Sequence, residues 1–364
     1  EEANYPRFLS YDKLLTIQNI YKNVDYIGGF ELRGASIMGA SHSDTLAKVF
    51  ITKDGKQVIA VQALNYMFKR ESLLANDARV VIYIEDDSIY HPAANFRYNE
   101  DTRELLISRT KYGIGRSPFF DSYHKLDIYA ETISWVITDE KIEIKPLPGQ
   151  TSASSAIFES QNYFEDLKMK KLQGYNEENP LFSIWKVFRA NQFGNVPVET
   201  FTNYFGKSPE DVKRLLIEYA AEGFIEYDLN HNKIGYRKKI AQYLNNDVGK
   251  KDFDNIILES KQHYASLDLL TNDLKISGCE FFILSDAQIV NVYPQNEKVT
   301  VKKNRDMEFS GRIIAGLFDF VSHNCSFSYN KFNLTMNVID SLIMYVEDKT
   351  KAKNMYGDYK LVKV

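Results

Sequence analysis

A few groups of side chains in this sequence are close enough in the chain to share chemistry, and each group suggests a particular reaction. His124 and Asp127, in Ser122-Tyr-His-Lys-Leu-Asp127, offer a general acid–base pair or two ligands for a metal ion. Asp86, Asp87 and His91 offer a second set of the same kind. Cys325 follows His323 by two residues, a spacing that places thiol and imidazole on one face of a strand. A thiolate with an adjacent base is the minimum for nucleophilic catalysis. Cys279 supplies the other thiol, and an oxidising compartment would allow it to pair with Cys325. Gly113-Ile-Gly115-Arg116 begins like a phosphate-binding loop, and Thr151 to Ser155 supplies a run of hydroxyls.

Each group lacks a part that its chemistry needs. Neither His/Asp set has a second cluster at metal-ligand spacing, as HExxH or paired CxxC would provide. The Gly-x-Gly has no third glycine, no Lys-Ser/Thr and no following helix, so it reads as a turn. No Gly-x-Ser-x-Gly elbow frames a serine. The polar residues are therefore expected to cap and satisfy turns between strands. The expectation is a non-enzymatic chain with no catalytic residue, no metal ligand and no cofactor.

The elements that would position these residues divide the chain into segments. Residues 1–145 read as strands, with Asp54-Gly55 turning between the alternating runs Lys48–Thr52 and Gln57–Val61. Arg79–Ile84, Arg103–Ser108 and Ile133–Ile144 continue the pattern. Residues 146–179 open on Pro-Leu-Pro-Gly and serines, and read as a linker and aromatic connector with one short helix. Residues 180–245 change to helical spacing. Leu181, Ile184, Val187 and Phe188 form one stripe, and Phe201 and Phe205 mark a short helix ended by Gly206. Ser208-Pro209-Glu-Asp211 is a strong helix start, followed by Val212, Leu215, Leu216 and Tyr219 and stopped by Gly223. Phe224–Asp228 and Ile234–Arg237 then read as a hairpin. Residues 246–364 return to strands, including 267–276, 280–284, 289–293, 298–301 and 342–346. The fold expected is mainly β with an inserted α module. The β parts would form an extended sheet or solenoid-like segments, continuous in space.

Helix, short helix, longer helix and hairpin, with the stretch SPEDVKRLLIEYAAEGFIEYDLNHNKIGYRKK, resemble a winged-helix domain. That resemblance implies a third helix able to enter a major groove, and makes Lys213, Arg214, Lys233 and Arg237 the nucleic-acid contacts of an alternative reading. The same helix carries Glu210, Asp211, Glu218 and Glu222, and such mixed charge favours a protein-contact or structural use. The β segments resemble very large β-rich bacterial envelope proteins through DDSIYHP at 86–92, RSPFFDSYHKLDIY at 116–129, FESQNYF at 158–164 and VKKNRDMEFSG at 301–311. This implies a periplasmic or envelope location, with the cytoplasm as the alternative. An internal echo, Leu32-Arg-Gly34-Ala-Ser-Ile-Met-Gly39 against Phe309-Ser-Gly311-Arg-Ile-Ile-Ala-Gly316, points to a structural repeat.

Composition bounds the partners. In 364 residues, 45 basic against 49 acidic side chains leave −4, so no global field attracts nucleic acid or anionic lipid. No apolar run approaches the ~20 residues of a membrane-spanning helix. The 24 Tyr and 23 Phe are spread along strands, which favours packing over a sugar-binding platform. The start at Glu1 without Met suggests a trimmed piece, and the strand-like end Tyr359–Val364 has no stop signal. Asn354–Val364 is accordingly expected to fray or to pair outside the chain, and other protein segments meeting exposed β edges are the expected partners.

Overall fold

The computed structural model describes residues 7–10, 14–33, 36–41, 45–149, 155–173, 178–247, 249, 254–261, 264–350 and 360–363. Local chemistry sets the first hairpins. Asp54 (φ 52°) and Gly55 (φ 76°) form the two-residue turn between strands Ala47–Lys53 and Lys56–Ala63. Positive φ at both positions suits the twist of the flanking strands. The alternation then places Ala47, Val49 and Ile51 inward, opposite Ala63, Val61 and Ile59.

Long strands distribute the sheet into two branches. Ser72–Ile84 and Asp87–Asn99 pair along most of their length, with register shifts between Ala75 and Val80. Near one end, Ile89 and Tyr90 pair with strand Phe119–Asp121, while residues 95–99 pair with Glu104–Ser108. The first branch continues through Leu126–Tyr129, Ala156–Ser160 and Ile257–Ser260. The second runs through Thr132–Val136, Lys141–Lys145, Ala265–Asp268, Leu274–Ser277, Lys298–Val301, Met307–Ala315, Phe318–Ser328 and Asn333–Asp348. All these pairings are antiparallel. One apolar core, with Val80, Phe96, Ile107, Trp135, Phe158, Leu258 and Val301 among its members, joins residues from both branches.

The early and late β segments are thus one sheet. They meet at Lys141–Lys145 against Ala265–Asp268, and again at Ala156–Ser160 against Ile257–Ser260. The chain leaves the sheet at Ser160 and returns at Ile257 on the adjacent strand. This neighbouring exit and entry accommodates a helical insertion without breaking the ladder.

The insertion holds helices α1 (Asp166–Gln173), α2 (Pro180–Ala190), α3 (Val198–Phe205), α4 (Pro209–Ala221) and α5 (Lys238–Asp247). A small sheet of Val196–Pro197, Lys233–Tyr236 and Ile225–Asp228 completes it. Side-chain caps start α2 and α4, and the one at Ser208 is the start that the sequence signals. Asn179 accepts from the Leu181 N–H at 2.9 Å, with Pro180 in the first turn of α2. The Ser208 hydroxyl accepts from the Asp211 N–H at the start of α4. At the other end of α4, the Phe224 N–H reaches the Tyr219 carbonyl and the Gly223 N–H reaches that of Ala220. This closing motif needs a left-handed residue, and Gly223 supplies it at φ 77°.

Several boundaries differ from the sequence expectation. Residues 156–160, expected in the connector, form a sheet strand because Ala156 and Phe158 fill the core. The run 267–276 is a hairpin, turned where the Asp268 N–H meets the Asp273 carbonyl. Helix α5 was not expected. Gly34 and residues 151–154 lie outside the described residues, but the second glycines of the echo have different settings. Gly39 is inside a paired strand, whereas Gly316 turns a hairpin at φ 59°. Lys360–Lys363 corrects the expectation for the chain end: it pairs with Tyr345–Asp348 of the same chain, and the strand-like alternation there is used internally. Residues 354–359 lie outside the described residues.

Candidate functional site

Two features dominate: a buried ionic clamp that fixes the helical module, and an open strand edge at the far end of the sheet. The clamp starts from a problem in the ladder. Asp127 and Glu159 are direct cross-strand partners, and both are buried. Like charges placed opposite each other repel, and burial adds a desolvation cost. The module supplies the answer. Lys239, from the first turn of α5, lies between the two carboxylates, with Nζ 3.0 Å from Asp127 Oδ2 and also bonded to Glu159. Arg237 Nη2 donates to Asp127 Oδ1 at 3.0 Å, and Lys168 from α1 links Glu222 at 3.0 Å with Glu159 at 3.5 Å.

Electrostatics follow the geometry. Burial pushes the Asp127 carboxyl up, but Arg237 and Lys239 outweigh it and hold the group at about 2. Burial opposes the charge on Lys239, yet Glu159, Tyr129 and Asp127 raise its affinity for the proton well above the ordinary lysine value. Gly223 closes α4 against this cluster, where an added Cβ would stand 3.0 Å from Asp127 Oδ2. The docking extends further. Arg116 pairs with Glu218 of α4 at 2.7 Å, and the Ser117 hydroxyl donates to the Ala220 carbonyl. Ala93 and Ile114 of the β body enter the module's own apolar core.

The residues singled out by spacing are distributed differently. His124 and Asp127 do not act together. His124 Nδ1 lies 2.6 Å from Asp121 Oδ2, and Nε2 lies 2.9 Å from the Asn272 carbonyl. Both ring nitrogens face acceptors, which favours the doubly protonated ring; burial opposes the charge, but Asp121 outweighs it and the pKa is raised. Asp87 accepts from the Ser122 hydroxyl, whereas His91 is buried against the Ser117 carbonyl and the Ala93 N–H. Burial, reinforced by Arg109, pushes His91 down to about 3, so its ring is neutral. His323 faces Asp340 at 2.5 Å, while Cys325 is buried in the core. Cys279 and Cys325 are separate buried thiols, and burial raises Cys279 to about 12.

Of the four basic residues of the nucleic-acid reading, Lys213, Arg214 and Lys233 are exposed. Arg237 is a correction. Its guanidinium is bonded into the clamp by Asp127 and the Gly223 carbonyl, so it is not on an exposed face. The residues that sequence reasoning missed are Glu159 and Lys239. Their signals were an acid within an apolar strand and a lysine in the first turn of a helix, where the helix dipole disfavours a cation.

The edge feature lies in strand Asn333–Asp348. One side pairs with Phe318–Ser328, and on the other side only Tyr345–Asp348 is covered, by Lys360–Lys363. Among the described residues, nothing pairs with the outer side of Asn333–Met344. That stretch carries one charged residue, Asp340, and exposes Val338, Ile339 and Leu342 by about half, at 48%, 50% and 54%. Phe318, Val321 and Met344 are also exposed, with Phe318 directly opposite Met344. No helix among the described residues is long and apolar enough to cross a membrane.

Comparison with known proteins adds no family to this picture: no family model matches the chain, and no curated protein or solved structure is similar to it.

Proposed function

We propose that this chain is a non-enzymatic protein-interaction scaffold, a β-rich segment of a larger bacterial envelope protein. Its open edge at Asn333–Met344 takes a strand from another protein segment. That edge is the observation that carries the reading. Natural edges are blunted by charge, proline or a covering element, and this twelve-residue stretch has a single acid and exposed Val, Ile and Leu. Such a surface gains main-chain hydrogen bonds and apolar burial when a strand is added. The envelope context rests on the resemblance of the quoted β segments.

In this reading the helical insertion is a winged-helix-like module used for docking. The buried clamp, the α4 contacts and the loss of Arg237 from the exposed face support that use over groove reading. Sedimentation of the whole chain tests the edge. With no other partner present, the wild-type edge should drive weak self-association at about 100 µM, and I339K/L342K should remain monomeric. A wild-type chain that is monomeric there, with an unchanged profile for the variant, would count against the proposal. A gel shift of the whole chain that survives moderate salt and vanishes in K213E/R214E would instead favour the nucleic-acid reading.

A further inference from the structure

A cleft of about 520 Å³ lies where the β body meets the C-terminal end of α4, lined by residues that include Arg109, Lys111, Arg116, Tyr129, Glu131 and Glu222. Its volume is in the range of sites for small organic ligands and well above that of a bare oxyanion. Arg109 is its most unusual component. The guanidinium is fixed by three carbonyl oxygens: Nε donates to Ser117 at 2.7 Å, Nη1 to Ala130 at 3.2 Å, and Nη2 to Arg116. These bonds hold the planar group rigid without neutralising it, and they leave one N–H on each terminal nitrogen. No carboxylate among the described residues lies within ion-pair distance of Arg109.

The surrounding charges do not close the balance. Arg116 is taken by Glu218 and Glu222 by Lys168. Glu131 remains, with Oε2 accepting from the Leu147 N–H at 2.6 Å. Lys111 is exposed on the rim and has no ion pair among the described residues. The cleft therefore presents two cations against one partly used carboxylate. Its loop, residues 110–116, contains the Gly113-Ile-Gly115 turn.

We propose that this cleft binds a small organic anion, a carboxylate or phosphate ester carried on a hydroxylated body of about monosaccharide size. The free N–H groups of Arg109 and the Lys111 ammonium meet the anionic group, in the fork geometry that suits planar and tetrahedral oxyanions. Glu131 accepts from hydroxyls, and the Tyr129 ring offers an apolar wall.

Calorimetric titration of the intact chain at low ionic strength tests it, with glucuronate and glucose 6-phosphate as separate arms and glucose as the neutral control. Binding of either acid with Kd below about 1 mM, without binding of glucose, is the expected result, and the arm that binds identifies the anionic group. K111E, on the exposed rim, should weaken binding about tenfold, and R109K, which keeps the charge but loses the fork, should weaken it at least as much. The proposal is overturned if neither acid binds at about 10 mM, if glucose binds equally, or if K111E titrates as the wild type does.

Discussion

Replacing Asp127 by Asn tests the clamp with almost no change in volume. Asp127 is fully buried and accepts from Arg237 at 3.0 and 3.3 Å and from Lys239 at 3.0 Å. Asp127, Glu159 and Glu222 face Arg237, Lys239 and Lys168, so D127N leaves one positive charge of the clamp uncompensated. Hydrogen bonds to charged groups contribute about 1.5–3 kcal/mol each, and the amide oxygen retains part of one. Removing one side of a buried pair costs about 3–5 kcal/mol, which is the loss expected here. The two tryptophans give separate readouts, because Trp135 is in the sheet and Trp185 is in α2. In urea, W135F and W185F backgrounds should show the module reporter destabilised by D127N more than the sheet reporter. A loss below about 1 kcal/mol on both reporters would refute the claim that these charges hold the module in place.

Further outcomes follow from the same geometry. Gly223→Ala should cost about 1 kcal/mol or more, read as a shift in urea midpoint, because φ is 77° and the new methyl would face Asp127. Ser208→Ala should cost about 1 kcal/mol through the lost cap of α4. The folded-state value of Asp127 lies below its unfolded value of about 3.9, so its contribution is present above that pH and is lost as pH falls towards about 2. Urea midpoints between pH 5 and 2 should therefore fall more steeply for the wild type than for D127N. His124 has the opposite sign: its raised value contributes stability below about 6.5 that disappears as pH rises through the folded value. H124Q should accordingly lose more stability at pH 6 than at pH 9, and equal losses would contradict a buried imidazolium.

The sequence made α4 and the Asp54-Gly55 hairpin legible because their signals are local, whereas α5 and the hairpin within 267–276 were not anticipated. Ser208-Pro209 and Gly223 bracket α4 through their own backbone bonds, and Asp54-Gly55 fixes its hairpin without help from distant residues. The pairing of the early and late β segments was expected only as continuity in space. Its register, Ile142 opposite Leu267 and Phe158 opposite Leu258, depends on strands more than a hundred residues and about a hundred residues apart. The clamp was less visible for the same reason. Asp127 stands near His124 in sequence, which suggests a partner that its strand geometry does not use. Lys239 and Arg237 reach it from over a hundred residues away. The open edge was expected at the chain end, whereas it lies in the preceding long strand, because Lys360–Lys363 covers only four residues of it. Periodicity reports which side chains are apolar, and does not report which strand is last in the sheet.

Amide hydrogen exchange along Asn333–Met344 tests the scaffold proposal most directly. In a dilute chain, alternate amides there should exchange quickly, since their N–H groups point to the unpaired side, while those facing Phe318–Ser328 stay protected. At about 100 µM the fast set should slow in the wild type and remain fast in I339K/L342K. Uniform protection in the dilute chain would mean that the edge is already covered, and fast exchange at every concentration would mean that it recruits no strand; either result contradicts the account.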